Sequence, residues 1–490
     1  MNPIRTLGAL RESGATPVSV RDELRTNLLA RLERSDPLFP GVIGFDETVV
    51  PQIVNAILSR HDFILLGLRG QAKTRLLRSL TALLDEATPV VPGCPLNSHP
   101  LAPIGRFARR RVAEEGDDLE IGWIPREERY REKLATPDIT IADLIGDVDP
   151  IKAATRRLDL DDEEVIHYGL VPRTNRGIFG LNELPDLPTR IQVGLLNILE
   201  EKDVQIRGFP IRLPVDVLLA FTANPEDYTN RGSIITPLRD RIESQIHTHY
   251  PLTLEEGIRI TRQEAWLDRG DGAPPVTIPA WFEEIVEETA VQARTSSFVD
   301  QNSGVSARMT IALAENLVSN AERRAVRLGL ERTTPRVSDL FAAIPAVSGK
   351  IELVYEGERE GPVAVARAIL GRAVKAVFDR VLPDPYRDDG ASSIYEPLVK
   401  WFRAGNRVEV SDESAPDAYV EELRRVKDLE SLARNFFPLP REDDETRGAT
   451  MELVLEGLHQ ASLLGKEDGL RGTRYSDAFD EMTRELEGDR

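Results

Sequence analysis

The sequence predicts an α/β fold: a parallel sheet flanked by helices, followed by a long, mostly helical region. Three observations carry this. An apolar run, Phe63-Ile64-Leu65-Leu66, leads into the Gly-rich string Gly67-Leu-Arg-Gly70-Gln71-Ala72-Lys73-Thr74-Arg75 and then into Leu76-Leu77-Arg78-Ser79-Leu80, which has helical spacing. Two further apolar runs, Gly177 to Leu181 and Val215 to Ala220, each end in polar residues, Asn182-Glu183 and Thr222-Ala223-Asn224. After Pro251 the strand signals fade and helical periodicity takes over.

Taken in order, residues 1–38 form a polar helical extension, with Leu24, Leu28, Leu29 and Leu32 at helical spacing. A turn-rich entry, Phe39 to Gly44, precedes a helix from Glu47 to Arg60 and then the first strand. Residues 88–135 are rich in Pro, Gly and charge and read as an irregular insertion; Arg106 to Arg111 within it read as a solvated loop or interface patch. The reading from Ile139 to Arg176 is mixed. Thr189 to Glu200 carries Ile191, Leu195, Leu196 and Leu199 on one face of a helix, and Asp203 to Leu213 alternates around Gly208-Phe209-Pro210 as a hairpin. The nucleotide-binding α/β domain spans 39–250. Residues 251–345 form a helical lid with helices at Ala280–Arg294 and Ser306–Gly329. Residues 346–490 form a further, mostly helical domain with loops at 382–392 and 403–417.

Composition narrows the classes. With 62 Lys and Arg against 82 Asp and Glu, the net charge is −20, which disfavours non-specific nucleic-acid binding because that depends on neutralising phosphates. Cys94 is the single cysteine, so no intramolecular disulfide forms, and Cys94 with His99 supplies too few ligands for a tetrahedral zinc site. No run approaches the roughly 18 to 20 apolar residues of a membrane helix. The N-terminal stretch has no signal-peptide core, so the expected compartment is the cytoplasm.

The chemistry sits at the ends of the strands. A Gly-rich loop between strand and helix wraps phosphates with backbone N–H groups; Lys73 would reach the β- and γ-phosphates and Thr74 would hold Mg²⁺. Gly is usual where Ala72 stands, and Ala takes up such a backbone angle at a cost of roughly 1 kcal/mol. Glu183 is positioned to orient or deprotonate an attacking water, and Asn224 to hold that water against the γ-phosphate. Ligands of open α/β sheets bind at the carboxyl ends of strands, where Lys73, Glu183 and Asn224 all map. Arg239 and Arg241 follow in TPLRDRI; an Arg delivered from a neighbouring subunit stabilises the transferring phosphoryl group. Arg308, in SGVSARMTI, opens a lid helix.

These strings resemble the AAA+ ATPases of the clade that holds the MoxR proteins and the ATPase subunit I of magnesium chelatase. GLRGQAKT is close to the MoxR form of the P-loop. The block RGIFGLNELPDLPTRIQVGLLNILEEKDVQIRGFPIRLP is similar to the chelatase segment from Walker B to the pre-sensor hairpin. FTANPED resembles sensor 1 and GVSARMTI resembles sensor 2. The resemblance covers roughly residues 38–345. It implies an ATP-binding core in which Gly67, Gly70, Gln71, Ala72, Lys73, Thr74 and Arg75 belong to Walker A, Asn182 and Glu183 to Walker B, Asn224 to sensor 1, Arg241 to the arginine finger and Arg308 to sensor 2. Residues 140–176 would hold the helix-two insert of the clade. The metal would lie against Thr74, Asn182 and Glu183.

It further implies Mg-ATP hydrolysis by a ring, a hexamer, that remodels a partner, and a separate protein with a von Willebrand A domain. That domain's Asp-x-Ser-x-Ser motif is not found here; Asp412-Glu413-Ser414 is followed by Ala415. Two departures qualify the resemblance. Asn182 stands where the family has Asp, which leaves open a nucleotide-binding switch that hydrolyses little. The residues beyond about 346 have no counterpart in the compact chelatase subunit, which weakens the narrower reading of Mg insertion into protoporphyrin IX. An enhancer-binding transcription activator shares the core, but the chain has no GAFTGA string and no basic C-terminal face.

Overall fold

The computed structural model describes residues 4–159, 162–206, 212–225, 233–270, 272–386, 394–411, 413–437, 443–469 and 472–478. The chain divides into two compact units, residues 1–249 and 250–490.

The first unit is built on five parallel strands: β1 (Phe63–Leu66), β2 (Tyr130–Leu134), β3 (Gly177–Asn182), β4 (Val217–Ala223) and β5 (Ser244–His247), in the order β5-β1-β4-β3-β2. Every pair is parallel, with Phe63 opposite Ala220 and Ser244, Leu181 opposite Phe221, and Leu134 opposite Asn182. Central strands of such a sheet are covered on both faces, so they read as unbroken apolar runs. Accordingly β1, β3 and β4 are buried along their whole length. The strand order puts β1 between β4 and β5, so the loop leaving β1 opens beside the tips of β4 and β3.

Residues 88–135 are more ordered than their composition suggests. Besides β2, they contain the helix Gly105–Glu115 and the strand Gly122–Pro125, which pairs with Ala87–Val90. The basic run lies on that helix, not in a loop. Its side chains find local acids: Arg106 pairs with Asp162, Arg110 with Glu164 and Arg111 with Glu115. The helix expected over 189–200 is two short helices, Thr189–Gly194 and Leu196–Glu201. The hairpin pairs Asp203–Gln205 with Arg212–Pro214; its Gly208-Phe209-Pro210 tip lies outside the described residues.

The N-terminal residues are fastened into this unit. The helix Val20–Arg34, capped by Ser19, buries Val20, Leu24 and Leu28 against the sheet, while Leu32 stays exposed. Glu23 meets Arg129 in a buried two-pronged bond of 2.7 and 2.6 Å. Fully buried Asp62 pairs with Arg21 and Lys202 and accepts the Leu219 N–H at 2.8 Å. A buried carboxylate persists only when paired and hydrogen-bonded in this way.

The second unit is mainly helical, with the long helices Ala280–Thr295, Arg308–Leu328, Pro362–Val381 and Asp444–Gln460. One apolar core runs through it, including Phe282, Leu313, Ile369, Phe378, Leu453 and Tyr475, so residues on both sides of position 345 share it. Residues 346–490 also contain a three-stranded antiparallel sheet, with Gly472–Asp477 between Val408–Ser411 and Leu464–Gly469. Asp412 lies outside the described residues. Among the described residues no helix is long and apolar enough to cross a membrane.

Candidate nucleotide site

The loop after β1 is shaped by backbone constraints. The Gly67 N–H donates to Ala223 O at 3.1 Å, continuing the pairing with β4. A Cβ on Gly67 would lie 2.0 Å from Thr248 Oγ1 and 2.1 Å from Gln71 Oε1, so only glycine fits. The Thr248 hydroxyl donates to Gln71 Oε1 at 2.8 Å, closing the loop from the β5 side. Gly70 has φ 76° and Ala72 has φ 54° with ψ 15°, so Ala72 takes up the left-handed conformation expected of a glycine. The helix Lys73–Ser79 starts at the next residue.

Lys73 is buried, and its ammonium is held where the strand ends converge. It donates to Leu68 O at 3.0 Å and Asn224 Oδ1 at 2.7 Å, and also to Gly67 O. Asn224, just past β4, passes the connection on: its Nδ2 donates to Glu183 Oε2 at 3.0 Å. Glu183, just past β3, is itself strained, with φ 55°. Its N–H donates to Thr222 Oγ1 at 3.1 Å, which holds that turn in place. Strained non-glycine residues persist where surrounding contacts fix them, and they cluster at functional sites.

Asn182, the last residue of β3, is buried, and its Oδ1 accepts from Thr74 Oγ1 at 3.2 Å and from Thr222 Oγ1 at 3.3 Å. Thr74 and Asn182 therefore bring two hard oxygen atoms together, the donor type Mg²⁺ takes, and the carboxylate of the next residue, Glu183, completes the expected set. One carboxylate in this set suits an ion that is bound largely through substrate phosphates and water. Among the described residues no group of three or more His, Cys, Asp or Glu side chains is placed to hold a metal by itself. Cys94 is half-buried, and that burial pushes its thiol pKa up.

The remaining expected residues lie apart. Arg75 is exposed on the helix. Arg241, at the end of the helix Thr236–Arg241, donates to Glu200 Oε2 at 2.8 Å and to Pro237 O at 3.0 Å. Arg239 is exposed on the same helix. Arg308 opens the helix Arg308–Leu328 in the second unit; it is exposed, and its N–H donates to Ser306 Oγ at 3.1 Å. Residues 226–232, including the Glu-Asp of FTANPED, lie outside the described residues. Two contributors were not assigned from sequence, Thr222 and Thr248. Thr222 lies near the end of central β4 and Thr248 just past the edge strand β5, and that position at a strand end was the only available signal.

Parallel strands, a strained Gly-rich loop leaving the strand beside β4, and a lysine bonded to the neighbouring strand tip are now in view. The first unit is a parallel α/β sheet in which a Gly-rich loop joins a buried strand to a helix, the arrangement of a phosphate-binding loop. Among solved structures, the chain is similar to a protein of Cytophaga hutchinsonii assigned as an ATPase (18% identity, 72% of this chain and 95% of that one, TM-score 0.31). It is similar to one chain of the complex between subunits BchI and BchD of magnesium chelatase (17% identity, 66% of this chain and 98% of that one, TM-score 0.34). It is also similar to NtrX from Brucella abortus in complex with ADP (15% identity, 76% and 68%, TM-score 0.37). No family model matches the chain, and no curated protein matches it. At these identities and TM-scores none of the likenesses says what this chain does.

Proposed function

We propose that the chain hydrolyses Mg-ATP at the tips of β1, β3 and β4, and that it does so in a ring that remodels a partner protein. The supporting observation is the continuous path Lys73–Asn224–Glu183, which joins a phosphate-binding cation to a carboxylate through one amide. Lys73 and the loop N–H groups hold the β- and γ-phosphates. Thr74, Asn182 and Glu183 would hold Mg²⁺, which would supply neutralisation of the phosphate charge. Asn224 orients the attacking water. As its oxygen bonds to the γ-phosphorus and the bond to ADP breaks, Glu183 takes the water's proton. Arg241 of a neighbouring copy meets the transferring group.

A shared site has a specific test. Arg241→Ala and Glu183→Gln variants are each poorly active alone, and mixing them creates sites with an intact Glu183 facing an intact Arg241. Activity of the mixture above either variant supports the ring; a simple average of the two contradicts it. A hexamer and a separate von Willebrand A partner belong to the same reading, and ATP-dependent co-purification with such a protein tests the partner. A second reading, a nucleotide-gated switch with little turnover, is favoured by one feature: the neutral Asn182 amide between Thr74 and Thr222.

A further inference from the structure

On the face of β2 away from the P-loop helix lies a cavity of about 540 Å³ that the nucleotide chemistry does not use. Strand alternation creates it: Glu132 points to Arg78 on the P-loop helix, so its neighbour Arg131 points to the opposite face. The other walls come from residues 93–97, the helix Gly105–Glu115 and the strand Ile166–Tyr168. None of Lys73, Asn182, Glu183 and Asn224 lines it. Its volume falls within the roughly 300–1,000 Å³ of small-molecule sites.

The charges on its walls are arranged unevenly. The acids Glu163 and Glu164 are already engaged. Glu164 pairs with Arg110, and Glu163 accepts the Arg106 N–H at 2.7 Å and the Tyr168 hydroxyl at 3.3 Å. The cations are not engaged in this way. Among the described residues neither Arg131 nor Arg173 forms an ion pair, and Arg131 Nε is buried with no hydrogen-bond partner. Burial and then the nearby Arg173 charge pull the Arg131 guanidinium below its ordinary pKa. Lys152 adds a third cation, tied among the described residues by a long 3.4 Å bond to Ile166 O. Two neighbouring guanidiniums on a partly apolar wall are a mutual liability unless an anion lies between them, and paired guanidiniums match a two-oxygen anion face.

We propose that this cavity binds a small dianion, a phosphate monoester or a dicarboxylate, between Arg131 and Arg173, with Lys152 at its edge. The site is separate from the nucleotide site and does not depend on the ATPase reading.

The test is calorimetric titration of the full chain, preloaded with ADP, using sodium phosphate and sodium succinate as probes, beside Arg131→Gln/Arg173→Gln. The expected result is one probe bound per chain, weakened about tenfold or more in the double variant. Thermal melting checks that the variant is folded. Binding of phosphate alone assigns a phosphate ester; binding of succinate alone assigns a dicarboxylate. If neither probe binds, or binding is equal in the double variant, the proposal is overturned. Should the double variant fail to fold, Arg173→Gln at its exposed position decides: affinity lower by about threefold or more supports the site, and unchanged affinity overturns it.

Discussion

Lys73 Nζ donates to Asn224 Oδ1 at 2.7 Å, across 151 positions of sequence. The two residues are neighbours because β1 and β4 are parallel partners whose C-terminal ends coincide, Leu66 opposite Ala223. Replacing either breaks the same bond, yet the consequences should differ. Lys73→Ala removes the cation proposed to hold phosphate and should weaken ATP binding by roughly 100-fold, two charge-assisted hydrogen bonds' worth. Asn224→Ala should bind ATP within a few-fold of the parent and lose most turnover. Fluorescent-nucleotide titration beside a phosphate-release assay checks both.

Asn182 takes hydroxyl bonds from Thr74 and Thr222 through one oxygen, and a carboxylate in its place accepts the same two bonds. Asn182→Asp adds a negative charge beside the expected metal position without changing shape. It should lower the Mg²⁺ concentration for half-maximal turnover roughly tenfold, which corresponds to about 1.4 kcal/mol. An unchanged Mg²⁺ requirement means that phosphates and water alone hold the ion.

Ala72 stands at φ 54°, where a side chain is strained and glycine is not. Ala72→Gly relieves that strain but gives the unfolded chain more freedom. The balance should stabilise the first unit by roughly 0.5–1 kcal/mol. Its transition in urea should move to higher concentration, with nucleotide affinity the same or better.

Glu452 is fully buried in the second unit, accepting from the Tyr419 hydroxyl at 2.7 Å and the Val337 N–H at 3.1 Å, with Arg336 and Lys466 among its charged neighbours. Burial outweighs these partners and pushes its carboxyl up to about 7. An unfolded Glu titrates near about 4.3. The folded state thus keeps a proton that the unfolded state gives up earlier. This stabilising contribution is full below the unfolded value and is lost as pH rises through about 7. The second unit's urea midpoint should fall between about pH 5 and about pH 8, and Glu452→Gln should flatten that fall. Equal slopes contradict the assignment.

The strand ends that carry the candidate residues were legible in the sequence because those residues sit at fixed places relative to apolar runs. A fully buried strand announces itself, and the polar residue that ends it marks the sheet's ligand-binding edge, as with Asn182 and Asn224. The strand β2 was missed for a physical reason: Tyr130-Arg-Glu-Lys-Leu134 lies at the sheet edge and carries three charged side chains in a row, so it lacks an apolar run. The three-stranded sheet of the second unit was missed likewise, since Lys466, Glu467, Arg474 and their neighbours neutralise one another on short strands. The anchoring of the N-terminal helix by Glu23–Arg129 joins residues 106 positions apart, which no local pattern reveals. The bonds that join Lys73, Asn224 and Glu183 needed the strand order as well as the motifs.

Steady-state ATP hydrolysis by the purified chain with Mg²⁺, beside Glu183→Gln, tests the central claim most directly. The account predicts turnover by the parent chain, lost by roughly 100-fold or more in Glu183→Gln while ATP affinity is retained. Equal turnover by the two proteins, or tight ATP binding with no turnover by either, contradicts it.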